Sequence, residues 1–127
     1  MKKILLTLFI IPLLFSCNDM KKAFLLEISK EFNKDCPMFI DEGITLINTT
    51  TLDDFIVYNY EMDTENYEFQ WQAKDFDFNE WRDEEINMYC TDPDFDEFRY
   101  FGVGVVKNYK DKNGTVIQTN KVSKSDC

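Results

Sequence analysis

The sequence contains no histidine, which removes His-based catalytic triads, His-bearing zinc sites and the commonest general base. Serine is scarce beyond residue 16, limited to Ser29, Ser123 and Ser125. The pairs Ser29-Lys30 and Ser123-Lys124 are adjacent in the chain. Neighbours diverge on a helix and point to opposite sides of a strand, so neither pair makes a catalytic dyad. No glycine-rich phosphate loop is present, and 4 Gly and 3 Pro leave little room for long flexible loops. Positive charge is also short, with 14 basic against 24 acidic residues and a formal net charge of −10. Phosphate backbones are bound by clustered Lys and Arg, so nucleic acid is excluded as a partner.

What is there begins with an export signal. Lys2 and Lys3 precede an apolar run from Ile4 to Phe15, broken only by Thr7 and Pro12, and Ser16 stands before Cys17. That run falls short of the roughly 20 apolar residues of a permanent membrane span. Leu14-Phe15-Ser16-Cys17 resembles the lipobox of bacterial lipoproteins, with Phe15 where a small or branched residue is commoner. The resemblance implies cleavage before Cys17, a diacylglycerol on its thiol, a further acyl chain such as palmitate on its amino group, and residence in the cell envelope. A single chain binds a bilayer marginally, whereas two or three anchor stably. A secretory signal cut elsewhere would leave Cys17 an ordinary thiol. The expected organisation is a signal over residues 1–16, a lipidated anchor and tether over 17–20, and one domain over 21–127. Lys21 and Lys22 then stand beside the anchor, where anionic headgroups would attract them.

Within the mature part, leucine, isoleucine and phenylalanine at positions 25, 28 and 32 predict an amphipathic helix from Lys21 to Asp35, ended by Pro37. The β-branched stretch Ile44 to Thr51 predicts a strand, as does Phe55 to Met62, where Ile56, Tyr58, Tyr60 and Met62 alternate with polar residues. Tyr67, Phe69 and Trp71 alternate with Glu68, Gln70 and Gln72, predicting a third strand. A helix is expected over Asp77 to Cys90, and a short one after Thr91-Asp92-Pro93 that ends at Gly102. Val103 to Tyr109 and Thr115 to Val122 complete a hairpin through Asn113-Gly114. The sum is a single α+β domain: an antiparallel sheet of four to five strands, with the N-terminal helix and one or two more on one face.

Three further cysteines follow Cys17: Cys36, Cys90 and Cys127. In an oxidising compartment one bridge can persist. Cys90 with Cys127 would tie the end of a helix to the end of the last strand. Cys36 with Cys90 is the rival pairing. With no histidine nearby, the remaining thiol lacks an activating base.

Carboxylates are the remaining chemistry. Asp92, Asp94 and Asp96 begin like a calcium loop, but Glu97 stands where glycine should turn the chain and Val103 where a glutamate should close the shell. Acids opening a helix complement its dipole, which accounts for them without a metal. Asp75, Asp77, Glu80, Asp83, Glu84 and Glu85 crowd the preceding region and read as a solvated face or a clamp for a cation or a basic partner. The aromatic rows Tyr58, Tyr60, Tyr67, Phe69 and Trp71 read as core, or as the lining of a groove.

Cys36-Pro37-Met38, Ile40-Asp41, Leu46, Tyr58-Asn59-Tyr60, Cys90 after an acidic helix, Gly102-Val103 and Tyr109 before Asp111-Lys112-Asn113-Gly114 together resemble a group of small exported bacterial proteins of unassigned function. The resemblance implies a single α+β domain and transfers no catalytic residue. The functional expectation is a membrane-anchored envelope lipoprotein that binds a protein, without enzymatic activity or cofactor. An inhibitor or immunity module for a basic partner is one form of it. The alternatives are a carboxylate hydrolase of envelope glycans and a small-ligand or cation-binding lipoprotein.

Overall fold

Phe24, Leu25, Ile28 and Phe32 lie along one side of helix α1, Cys17–Lys34. This comes from a computed structural model that describes residues 17–66 and 77–127. The helix starts at Cys17, four residues before the start that the apolar spacing predicts, so residues 18–20 are helical rather than an extended tether. After Pro37 the chain forms a short edge strand, β1 (Met38–Asp41), which the sequence reading did not anticipate. Strand β2 (Ile44–Leu52) and strand β3 (Phe55–Met62) continue an antiparallel meander. Helix α2 (Phe78–Thr91) follows, then a 3-10 turn (Pro93–Phe95) and helix α3 (Asp96–Phe101). Strands β4 (Gly104–Lys110) and β5 (Val116–Val122) close the sheet in the order β1-β2-β3-β4-β5.

The α+β class holds, with one departure from an all-antiparallel sheet: β3 and β4 run parallel. The cause is the return pass that α2 makes between them. Trp81 of α2 packs on Tyr109, near the end of β4, while Tyr89 bonds Val103, just before its start. The helix therefore runs back along the sheet, and β4 must set out in the direction of β3. The expected strand over Tyr67 to Gln72, the aromatics Tyr67, Phe69 and Trp71, and the lipobox residues 14–16 lie outside the described residues.

The core sits between the sheet and the helices. Ile56, Tyr58, Tyr60 and Met62 of β3 face the helices, as Val105 and Tyr109 of β4 and Val122 of β5 do. An irregularity between Leu46 and Asn48 puts Leu46 and Thr49 on this same face, although they are three apart. Thr49 fixes α1 to the sheet. Its N–H donates to Asn33 Oδ1 at 2.7 Å, its carbonyl accepts from Asn33 Nδ2 at 2.9 Å, and its hydroxyl lies 2.8 Å from Ser29 Oγ. Gly102 ends α3 at φ 68°, a left-handed cap that a β-carbon would strain. In the β4–β5 turn only Gly114 takes a positive φ, 82°, because Asp111 Oδ1 accepts from the N–H groups of Asn113 and Thr115 and shapes a longer loop than a two-residue turn.

Candidate functional site

The sheet face turned away from the helices is polar at its centre. Asn48, Asn59, Asn108 and Thr119 stand in register across β2, β3, β4 and β5. Asn59 Nδ2 donates to Asn48 Oδ1 at 2.9 Å, Asn108 Nδ2 to Asn59 Oδ1 at 3.4 Å, and Thr119 Oγ1 to Asn108 Oδ1 at 2.9 Å. This amide ladder keeps each side chain extended across its neighbour strand. Apolar residues surround it: Phe39 is 71% exposed and Ile47 38%. Phe55 covers Gly104 on the same face, and the Lys121 ammonium lies 4.4 Å from its ring centre. A groove of about 330 Å³ opens beside the ladder, lined by Ile47, Asn48, Thr50, Asn59, Glu61 and Lys110 among others.

Under α2 lies a second polar cluster of opposite character. Glu85 is 6% exposed, on the stripe between Trp81 and Tyr89. Its Oε1 accepts from the Tyr109 hydroxyl at 2.7 Å and its Oε2 from Asn120 Nδ2 at 2.9 Å. The Lys107 ammonium stands 3.4 Å from Oε1. Burial first, and then the Glu85 charge, hold the Tyr109 phenol well above the ordinary tyrosine range. Both carboxylate oxygens are engaged, and the space beside them measures about 10 Å³, room for one water molecule at most. The cluster clamps α2 onto β4 and β5 and offers no opening to a substrate.

The other residues singled out in the sequence disperse. Asp77 caps α2, accepting from the N–H groups of Asn79 and Glu80. Glu80, Asp83 and Glu84 are exposed. Asp92 accepts from the Asp94 N–H at 2.9 Å and caps the 3-10 turn. Asp96 pairs with Arg99, whose guanidinium also donates to the carbonyls of Tyr89 and Asp92. Among the described residues no group of three acids or cysteines is placed to hold a metal ion. Tyr58, Tyr60 and Tyr109 stack in the core: the rings of Tyr58 and Tyr60 are 6.3 Å apart, and those of Tyr60 and Tyr109 4.9 Å. Neither serine-lysine pair forms a dyad. Ser29 is bonded to Thr49, and Ser123 Oγ lies 2.7 Å from Ser125 Oγ.

Cys90 and Cys127 are joined with their α-carbons 5.6 Å apart, and Cys36 is free. The Cys36 thiol donates to the Phe32 carbonyl at 3.2 Å. Burial, then the Asp35 charge, push its pKa up, toward the unreactive thiol form. Cys17 is the first residue of α1, and Lys21 is not free for headgroups: its ammonium lies 3.4 Å from Asp54 Oδ2, and its side chain is 19% exposed.

Among solved structures the chain resembles a secreted protein of Pseudomonas aeruginosa, with a TM-score of 0.70 at 13% identity over 87% of this chain and 96% of that one. It also resembles the pilotin EpsS of the Vibrio vulnificus type 2 secretion system, with a TM-score of 0.68 at 11% identity over 87% and 94%. The pilotin AspS of the Vibrio cholerae type II system gives 0.66 at 9% identity over 87% and 95%. The chain has the fold of these proteins. At such identities the likeness carries the fold alone. No family model and no curated protein sequence matches the chain.

Two features are hidden in the local sequence. Glu85 lies in an acidic run that reads as a solvated face, although its position four residues from both Trp81 and Tyr89 places it on their buried side. The ladder had no local signal, because four separate strands supply it and only their pairing aligns them.

Proposed function

We propose that this is a lipid-anchored protein of the bacterial envelope that works by holding another protein, without catalysis. The observation that carries this is the open sheet face, where exposed Phe39 and Ile47 flank an ordered amide ladder. Apolar side chains around pre-positioned amides suit a protein surface, which needs both burial and oriented hydrogen bonds. The shared fold supports the reading, since two of the similar structures are pilotins of secretion systems. By that analogy the partner here is a component of an envelope secretion machine. An excess of acid over base favours a partner with a basic face, in the inhibitor form of the role as in the pilotin form. The anchor is the lipid on Cys17, and the Cys90–Cys127 bridge belongs to a chain that matures outside the cytoplasm.

The lipidated protein, purified from membranes, tests this by co-purification against envelope extract beside the F39E/I47E and N59R variants. A stoichiometric partner retained by the native protein and lost with both variants is expected. A partner retained equally by all three would remove the open face from the role. Binding that weakens little between low and high salt would remove the basic partner.

A further inference from the structure

The end of the domain that holds Cys17 is built differently from the opposite end. Three chain segments meet there through one side chain. The Lys21 ammonium pairs with Asp54 in the β2–β3 turn and lies 3.6 Å from the β-carbon position of Gly102, at the end of α3. Phe24 adds a ring contact with Phe101, 4.6 Å between centres. Cys17 is therefore the first turn of a helix locked to the sheet and to α3, not the end of a loose tether. Large apolar side chains ring this lock and point outward: Met20 is 53% exposed, Leu52 62% and Tyr100 81%. Met20 lies about 4.5 Å along the helix axis from Cys17. Leu52 is two residues from Asp54, and Tyr100 two from Gly102.

The geometry points to a membrane-seating rim: Met20, Leu52 and Tyr100 enter the headgroup layer of the bilayer that holds the Cys17 lipid, and so fix the tilt of the whole domain. This rests on the lipid-anchor reading of Cys17. Helix and lipid share a residue, so the first turn cannot rise away from the surface. A tyrosine with an apolar ring and a polar tip is suited to the interface, and methionine and leucine gain by leaving water there. Seating is apolar rather than electrostatic. Lys21 is engaged by Asp54, and Asp19 and Asp53 are exposed at this end beside Lys22, so anionic lipid gains no net attraction. The contact therefore persists in neutral phosphatidylcholine vesicles and at high salt.

The test uses the lipidated protein in phosphatidylcholine vesicles, with Cys17 lipidation read first by mass spectrometry. Nitroxide labels are introduced through M20C, L52C and Y100C in a C36S background, with F39C and V116C as controls on the opposite half of the sheet. At the rim, the ratio of oxygen to nickel-chelate collisions is expected to exceed that at the controls by about threefold or more, as for side chains in an interface. Equal ratios on a lipidated protein overturn the rim and leave the anchor standing. An unmodified Cys17 overturns both. Hydroxyl-radical oxidation of the unsubstituted protein gives a reading that needs no variant. Met20 is more exposed than Met88, 53% against 40%, so slower oxidation of Met20 in vesicles supports seating, and faster or equal oxidation sinks it.

Discussion

The two polar clusters on opposite faces of this sheet share asparagine and do different work. Glu85, Tyr109 and Asn120 are buried under α2 with their hydrogen bonds complete, whereas Asn48, Asn59, Asn108 and Thr119 line a face open to water. In a dry interior a lost partner leaves a charge or dipole that water cannot reach. On the open face water replaces whatever is removed. The first cluster should therefore control stability, and the second should be nearly silent until a partner covers it.

The strongest way to break that contrast is Glu85→Ala, which orphans Tyr109 and Asn120 and leaves Lys107 without its acid; a loss of about 3–5 kcal/mol in urea unfolding is expected. Glu85→Gln keeps a hydrogen-bonding group in place and should cost clearly less. If the two variants unfolded together, the charge rather than the bonds would be what matters. Removing the bridge in C90A/C127A frees a loop of 37 residues' separation and should cost about 3–4 kcal/mol, seen as a lower urea midpoint. Tyr89→Phe deletes the 2.7 Å bond to the Val103 carbonyl and should cost about 1–3 kcal/mol in the same assay. Asn59→Ala should change stability by no more than about 0.5 kcal/mol while weakening partner capture, because its site is on the surface.

Alkaline pH sharpens the comparison from another side. Burial is the first cause that raises the phenols of Tyr58, Tyr60 and Tyr109, with the Glu85 charge adding to the last two. A phenol whose folded pKa lies above its unfolded value of about 10 stabilises the fold fully below that pH, and the contribution is lost as pH climbs toward the folded value. Unfolding above about pH 10 should thus coincide with a rise in tyrosinate absorbance. In a Y67F/Y100F background, which leaves the buried rings to give the signal, tyrosinate appearing well before unfolding would show that these rings are open to solvent.

Much of this architecture is legible in residue order. The alternation of Ile56, Tyr58, Tyr60 and Met62 locates β3 at its observed limits, and Gly102 marks the end of α3. Local pattern fails where the cause is distant. Met38 to Asp41 is too short to show a period, and it becomes a strand only because β2 lies beside it. Asn48 and Asn59 look like any solvent-side residues until the register aligns them with Asn108, 49 positions beyond Asn59. The opposite directions of β1 and β2, by contrast, follow from a turn of a few residues.

The parallel β3–β4 contact has a consequence for how the chain acquires its shape. Phe55 meets Gly104 and Glu61 meets Lys110, so no rung of this central ladder can close until the helical return has been made. Until then β3 is an unsatisfied border carrying Ile56, Tyr58 and Tyr60, open to pairing with a neighbouring molecule. A newly made copy is most vulnerable to aggregation in that interval, before the second half of the sheet has closed over this border.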